Sequence, residues 1–287
     1  MVVKEYENAQ AYLNDYEARL MENEAVSQLI LYDAYQNRTT PSSETCRFGV
    51  VLDENKVLLH YCNVAPHNLE IYAQNKGKDI IGPAAALLAD YMIGNHIPIA
   101  GINAKHEICL AFIEQYKKSV NCTFMEKLGM DIMEIREVND IKPIEGKHRL
   151  ATADEVKLVT DWMISFQLEA LANEINYENA LEKAARLIKE SKLHVYEDSE
   201  QKIVTMAAAT RKLVNGVAIH YVYTPEEYRG KGYAAANIYF MSKEMLEQGI
   251  EFCTLFVDRK NPISTRAYEK VGYQILEDNY EYKLVLT

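Results

Sequence analysis

A β-rich run, a loop with two glycines and a long helix are predicted to follow one another directly between His220 and Gln248. The first turn of a helix has N–H groups without an acceptor inside the helix, and it lies at the positive end of the helix dipole. Gly230 and Gly232 let the backbone adopt positive φ and approach an anion closely. Arg229 and Lys231 are expected to add two mobile positive charges. This order predicts an anion site, suited to a pyrophosphate, at the start of the helix.

Two common phosphate-binding loops do not match this segment. The pattern G-x-x-x-x-G-K-[ST] is absent, and Ala235 stands where G-x-G-x-x-G requires its third glycine. A variant dinucleotide site stays open as an alternative. So does a helix that follows a glycine turn and binds no ligand.

A second informative segment runs from Phe256 to Tyr273 and is predicted as a strand, a short helix and a glycine turn. Asn261, Pro262 and Ser264 are typical of a helix start. Tyr268 lies one turn inside this helix, so its phenol is expected to project toward the end of the neighbouring strand.

Together these two segments resemble the GNAT superfamily of N-acetyltransferases. Arg229-Gly-Lys-Gly-Tyr-Ala234 fits that family's pyrophosphate motif, [QR]-x-x-G-x-[GA]. The family's Asn-Pro-x-Ser-x-x-x-Tyr segment, followed by Gly-Tyr, is matched from Asn261 to Tyr273, although Thr265 replaces a frequent Asn. The stretch from Val222 to Arg229 looks like a bacterial subgroup in which a degenerate GNAT-like half precedes an active C-terminal one.

The resemblance implies that a substrate amine attacks the thioester of acetyl-CoA directly, without an acyl-enzyme. Tyr268 is then expected to protonate the departing thiolate, and Glu169 is a candidate base, with His220 and Tyr223 as weaker ones. The backbone N–H groups of Val222–Thr224 would hold the pantetheine arm and polarise the acetyl carbonyl, and those of Arg229–Ala234 would hold the pyrophosphate. The predicted acetyl-CoA-binding residues are Val222, Tyr223, Thr224, Arg229, Gly230, Lys231, Gly232, Tyr233, Ala234, Asn261 and Ser264.

The pattern along the chain predicts a mixed α/β protein with two domains. Pro143 and Gly146 mark a linker, which gives domains 1–142 and 147–287. The resemblance implies a tandem fold, in which each half has a mixed, mostly antiparallel sheet flanked by helices. In the first half, Gln74–Asp79 nearly fits the pyrophosphate motif. Its aspartate would repel a pyrophosphate and no clear strand precedes it, so this half is expected to lack an acetyl-CoA site.

Local patterns predict several individual elements. Apolar residues recur at helical spacing within the first forty residues, and two β-rich runs flank a turn at Asp53–Asn55. A strand is expected at Ile97–Ile102. Thr152 and Glu155 form a capping-box pattern, and Gly249 stands where a helix would end.

Composition narrows the function classes. The net charge is −11, and residues 1–145 carry 13 basic and 21 acidic side chains, against 18 and 21 in the remainder. This balance argues against nucleic-acid binding, which needs clustered Lys and Arg. An acidic surface attracts cationic substrates, although such charge also simply keeps a protein soluble. No apolar run spans a bilayer and no signal-peptide pattern is present, so a cytoplasmic protein without membrane contact is expected.

The five cysteines are scattered and none forms a C-x-x-C pair. A disulfide framework and a metal site are therefore not expected, and acetyl-CoA is the only cosubstrate predicted. The acceptor is predicted to be the amine of a small molecule or a peptide. The pattern leaves its identity, the base, the oligomeric state and any contribution of the first half to the acceptor site open. A non-catalytic module that binds acetyl-CoA is the alternative.

Overall fold

The computed structural model describes residues 1–43, 45–74 and 77–286. The chain divides into two compact units, one formed by residues 1–130 with 277–286 and the other by residues 131–276. The predicted limits of 1–142 and 147–287 are a different division and stay a prediction. Within the described ranges, no helix combines the length and apolar character needed to cross a membrane.

The first unit is a sheet with helices. Its strands run in the order β1-β2-β3-β4-β5-β12-β6. Neighbours from β1 to β4 are antiparallel, β4 and β5 are parallel, and β5 and β12 are antiparallel. Its elements are β1 (Val2–Glu5), α1 (Ala9–Met21), α2 (Glu24–Gln36), β2 (Cys46–Asp53), β3 (Lys56–Val64), β4 (Leu69–Tyr72), α3 (Lys78–Gly94), β5 (Gly101–Ala104), α4 (His106–Tyr116) and parts of β6 (Cys122–Ile135) and β12 (Gln274–Leu286).

The predicted helices and hairpin of the first unit are confirmed. Helix α1 begins after Asn8, whose side-chain oxygen accepts a hydrogen bond of 2.8 Å from the backbone N–H of Ala11. Strands β2 and β3 form the hairpin, with Asp53 paired to Lys56 across a two-residue turn.

Two expectations for the first unit were wrong. The strand predicted at Ile97–Ile102 is instead β5, at Gly101–Ala104. Ile97 and Ile99 are apolar because they pack in the core, and they are not part of a strand. A strand does precede the Gln74–Asp79 segment, because β4 ends at Tyr72. Residues 75 and 76 of that segment lie outside the described residues.

The second unit repeats this pairing pattern. Its strand order is β6-β11-β10-β9-β8-β7; neighbours from β7 to β10 are antiparallel, and β10 and β11 are parallel. The mixed α/β fold with a mostly antiparallel sheet in each half is therefore confirmed. Its remaining elements are β7 (Lys147–Leu150), α5 (Val156–Leu171), α6 (Tyr177–Lys189), β8 (Leu193–Glu197), β9 (Ile203–Lys212), β10 (Gly216–Tyr223), α7 (Tyr233–Glu247), β11 (Phe252–Asp258) and α8 (Pro262–Val271).

Local signals set the helix ends of the second unit. The predicted capping box is present: the backbone N–H of Thr152 donates to Glu155 at 2.7 Å, and a short 3-10 turn leads into α5. Helix α7 ends at Glu247 with Gln248 as its C-cap, and Gly249 follows with a φ of +92°. The N–H of Ile250 donates to the carbonyl of Met245 and that of Gly249 to Leu246, which is a Schellman ending.

Candidate functional site

Strands β10 and β11 are paired over only part of their length. The parallel register joins Gly216–Ala218 to Phe252–Thr254, whereas β10 continues to Tyr223 and β11 to Asp258. In the part of the chain that the structure describes, no pairing of these two strands is recorded beyond that point. The ends of two neighbouring parallel strands therefore separate, which leaves one edge of β10 available to a ligand.

A β-bulge interrupts β10 where the strands have separated. His220 is opposite Ala208 and Tyr223 is opposite Met206, so two residues of β10 face one residue of β9. Tyr221, in the bulge, has a φ of +54°. A bulge turns the following backbone groups out of the regular ladder. The N–H groups of Val222–Thr224, predicted to hold the pantetheine arm, lie at this irregular strand end.

Hydrogen bonds from three side chains fix the end of β10. Thr205 donates its hydroxyl to the carbonyl of Tyr223 at 2.8 Å, and the hydroxyl of Thr224 lies 2.9 Å from that of Thr205. The carbonyl of Thr224 accepts from Nε of Arg229 at 2.8 Å. The sequence pattern gave no indication of Thr205, because its role depends on the pairing of β9 with β10.

The glycine loop before α7 has the backbone shape that an anion site requires. Gly230 and Gly232 have φ of +77° and +90°, which favour glycine. A Cβ built on either glycine would meet no atom within 4 Å, so the space in front of both is open. Gly232 is the N-cap of α7 and offers no side chain to the first turn. The N–H groups at the start of this helix therefore have no capping side chain within the described residues.

Each of the two cations of the loop has an oxygen partner in the structure, and the mobility expected of their charges stays a prediction. Nη2 of Arg229 lies 2.5 Å from Oε2 of Glu169, in addition to the hydrogen bond to Thr224. Nζ of Lys231 donates to the carbonyl of Glu227 at 3.0 Å. Both charges lie near the loop, because carbonyl and carboxylate oxygens are within reach of the side chains.

Glu169 lies near the end of α5 and accepts two hydrogen bonds. One comes from Arg229, and the other, of 2.9 Å, comes from the hydroxyl of Tyr223. Desolvation alone would raise the pKa of Glu169, but the hydrogen bonds from Arg229 and Tyr223 and the charge of Arg229 hold it below its ordinary value. A carboxylate with a lowered pKa is a weak base, so its contacts favour a positioning role.

Tyr268 lies on α8 and packs beside the separated strands. It shares one apolar cluster with Ile219 of β10 and with Leu255 and Val257 of β11. Its side chain is 7% exposed, and its hydroxyl has no hydrogen-bond partner among residues 1–43, 45–74 and 77–286. Burial raises the pKa of this phenol well above its ordinary value of 10, so it stays protonated and is able to donate.

The start of α8 has the predicted cap. Oδ1 of Asn261 accepts from the backbone N–H of Ser264 at 3.1 Å. This bond occupies one face of the Asn261 side chain, and the residue is otherwise exposed. The contact of Asn261 and Ser264 with acetyl-CoA stays a prediction.

Other candidate groups are unsuited to catalysis. Burial lowers the pKa of His220 to about 3, so this imidazole is a very weak base. Burial raises the pKa of Cys253 to about 12, and the side chain packs within the core of the second unit. All five cysteines are free and buried, as expected of packing residues.

Comparisons with known proteins agree with this geometry. The model of the acetyltransferase (GNAT) family matches residues 158–273, which lie wholly within the second unit. A GCN5-related N-acetyltransferase from Sphaerobacter thermophilus aligns with a TM-score of 0.60 at 12% identity, covering 99% of this chain and 95% of that one. A GNAT-family acetyltransferase from Colwellia psychrerythraea aligns with a TM-score of 0.54 at 13% identity, covering 99% and 100%.

These two likenesses show that the fold is shared over nearly the full length of the chain. A search of curated protein sequences found no significant match. The family model covers the strand end, the glycine loop and Tyr268 together. Residues 158–273 are therefore an acetyltransferase domain of the GNAT family.

Proposed function

We propose that this protein transfers the acetyl group of acetyl-CoA to an amine by direct attack within a ternary complex. Family membership of residues 158–273 supports acetyl transfer in general. The observation that carries the finer proposal is the separation of β10 from β11 beside the uncapped start of α7. A long ligand with a thioester at one end and a pyrophosphate further along fits these two neighbouring features.

The glycine loop fits a pyrophosphate. Gly230 and Gly232 leave open space where any other residue would place a Cβ, and the first N–H groups of α7 have no N-cap side chain as an acceptor within the described residues. The helix dipole adds a favourable field for an anion. The backbone from Arg229 to Ala234 is therefore assigned to the pyrophosphate, with Lys231 contributing charge.

The backbone at the bulge is assigned to the other end of the ligand. The N–H groups of Val222, Tyr223 and Thr224 hold the pantetheine arm and polarise the acetyl carbonyl, as oriented donors do for a developing oxyanion. Acetyl-CoA supplies the activated acyl group. Fixing it against the amine contributes several kcal/mol through proximity.

Tyr268 is assigned as the proton donor. As the new C–N bond forms and the C–S bond breaks, its hydroxyl gives a proton to the sulfur. The amine releases a proton to water, and water returns a proton to Tyr268. A thiol with a pKa near 8.5 is already a good leaving group, so the gain from Tyr268 is about 10²-fold. Glu169, predicted as a catalytic base, is assigned instead to positioning Arg229 and Tyr223.

The acceptor is proposed to be the amine of a small molecule or a peptide, in a cytoplasmic setting. An assay of free CoA tests the proposal. The protein is mixed with acetyl-CoA and with diamines, amino sugars or peptide α-amines, and a thiol-reactive dye detects the CoA that is released. The five cysteines are buried, so the folded protein contributes little background. Amine-dependent CoA release is expected. Binding of acetyl-CoA without release would favour the non-catalytic module, and thermal stabilisation by ATP or NAD alone would favour a nucleotide site.

A further inference from the structure

Two histidines and a glutamate meet in the second unit, on elements far apart in the chain. His148 lies on β7, His194 on β8 and Glu244 on α7. One nitrogen or oxygen of each lies within 4.8 Å of the other two. The catalytic assignments above use none of them.

The distances suit a small tetrahedral cation. Nε2 of His148 lies 3.0 Å from Nδ1 of His194 and 3.6 Å from Oε2 of Glu244. Zinc bonds of 2.0–2.1 Å in a tetrahedron separate neighbouring ligand atoms by about 3.3 Å. The two distances lie on either side of that value, and the His194 and Glu244 ligand atoms lie within 4.8 Å of each other, so a rotation of the half-exposed Glu244 side chain completes the set.

Asn237 supplies the support that a metal-binding histidine requires. Its Oδ1 lies 2.8 Å from Nδ1 of His148 and accepts the proton there, which leaves Nε2 with its lone pair toward His194 and Glu244. Asn237 is fully buried, and its Nδ2 has no partner within the described residues, so His148 is the hydrogen-bond partner of this amide there. A hydrogen bond to the second nitrogen of a ligating histidine fixes its tautomer and ring orientation.

Packing holds both rings in place while one side stays open. The rings of His148 and His194 stack with their centroids 5.0 Å apart, and Phe240 stacks on His148 from α7. His194 is buried on β8, and a histidine binds a metal ion through its neutral imidazole. The side chain of Glu244 is 47% exposed and gives a cation a path from solvent.

We propose that His148, His194 and Glu244 form a binding site for a divalent transition-metal cation, with Zn²⁺ as the ion that fits, and with water as a fourth ligand. His194 then carries its proton on Nε2. Two neutral imidazoles and one carboxylate leave a net charge of +1 on the bound ion. The site joins β7 and β8 to α7 and stabilises their packing.

The test uses the full chain, stripped of metal with a chelator and then titrated with Zn²⁺ against a chromophoric indicator. Saturable binding of one Zn²⁺ per chain is expected, together with a rise in Tm that grows with Zn²⁺ concentration. Co²⁺ is the spectroscopic probe, because a tetrahedral nitrogen and oxygen site gives it strong visible absorption.

Glu244→Gln removes one ligand from an exposed position and keeps the fold, and the Zn²⁺ affinity is expected to fall ~10-fold or more. Glu247→Gln is the matched control: it removes the same charge from the same helix, and binding is expected to stay unchanged. The acetyl-CoA affinity of both metal-free variants should equal that of the wild type. Absence of saturable binding, or equal Zn²⁺ affinity in the two variants, would overturn the proposal and leave a hydrogen-bonded histidine pair.

Discussion

Oε2 of Glu169 lies 2.5 Å from Nη2 of Arg229, so the end of α5 is joined to the loop that precedes α7. Arg229 also holds the carbonyl of Thr224 at the end of β10. The ion pair therefore fixes the backbone assigned to the pantetheine arm and that assigned to the pyrophosphate at the same time. A group with this role positions the machinery without touching the reacting atoms.

Glu169→Gln is expected to weaken acetyl-CoA binding several-fold while the shape of the pH profile of kcat/KM stays the same. The pair is exposed, so its contribution is about 0.2–1 kcal/mol. Arg229→Gln breaks the same pair, and the double variant should be hardly worse than either single one. If the pH profile of kcat/KM lost its acidic limb in Glu169→Gln and kept it in Arg229→Gln, Glu169 would instead be identified as the base.

The contribution of the same ion pair to folding stability depends on pH over a defined range. The pKa of Glu169 is lowered in the folded state, so its stabilising effect is complete above the ordinary value of 4.5 and is lost as the pH falls through the lowered pKa. The difference in free energy of unfolding between wild type and Glu169→Gln, measured with urea, should therefore shrink below pH 4.5. A difference independent of pH would contradict this.

Gly232→Asp is expected to weaken acetyl-CoA binding at least ~10-fold, because a carboxylate enters the space assigned to the pyrophosphate. Calorimetric titration measures the affinity. Gly232→Asn has the same size without the charge and should bind better than Gly232→Asp. Gly249→Asp places the same residue at a similar positive φ at the other end of α7 and should leave binding intact. If Gly232→Asp bound acetyl-CoA as tightly as the wild type, the glycine loop would not be the pyrophosphate site.

Tyr268→Phe is expected to lower kcat ~10²-fold and to leave acetyl-CoA affinity and stability nearly unchanged, because it removes a hydroxyl that has no hydrogen-bond partner in the described parts of the chain. Steady-state kinetics and urea unfolding give both quantities.

The neighbouring Tyr273 supplies the control for Tyr268. Its hydroxyl lies 2.8 Å from Oγ of Ser242 and is buried, so Tyr273→Phe should cost about 1–3 kcal/mol of stability while kcat is retained. The opposite pattern, with Tyr268→Phe unstable and fully active, would show that the Tyr268 phenol serves packing alone.

His60, in the first unit, is expected to make stability depend on pH. Burial, and secondarily the charge of Arg19, lowers its pKa to about 3, well below the ordinary 6.5. The folded state then binds fewer protons than the unfolded state, so stability falls as the pH decreases from 6.5 toward 3, by up to about 1.4 kcal/mol per pH unit. In His60→Gln the urea-derived slope should be shallower. Equal slopes in the two proteins would contradict this origin.

Sequence patterns predicted the features that depend on neighbouring residues. Helix periodicity, the Thr152–Glu155 capping box, the hairpin turn after Asp53 and the Gly249 helix ending each depend on contacts within about seven residues. The glycine loop was predictable for the same reason, because its shape follows from two positive-φ positions directly before a helix.

Features that depend on distant residues could not be predicted. The bulge at Tyr221 exists only relative to the register of β9, and the contacts of Arg229 depend on a residue 60 positions away. The meeting of His148 with His194 likewise needs the pairing of β7 with β8. Cysteine spacing is a local signal, so it could not indicate a metal site built from histidines on separate strands.

The place of β12 in the sheet of the first unit affects the order in which the protein folds during synthesis. Tyr280–Lys283 pair with Gly101–Ala104, so the sheet of the first unit contains a strand that the ribosome synthesises only after the whole second unit. Domains ordinarily fold one after another as they emerge. Here one edge of β5 stays unpaired in the nascent chain until β12 has been synthesised. A fragment that stops at Met130 should therefore expose that edge and aggregate.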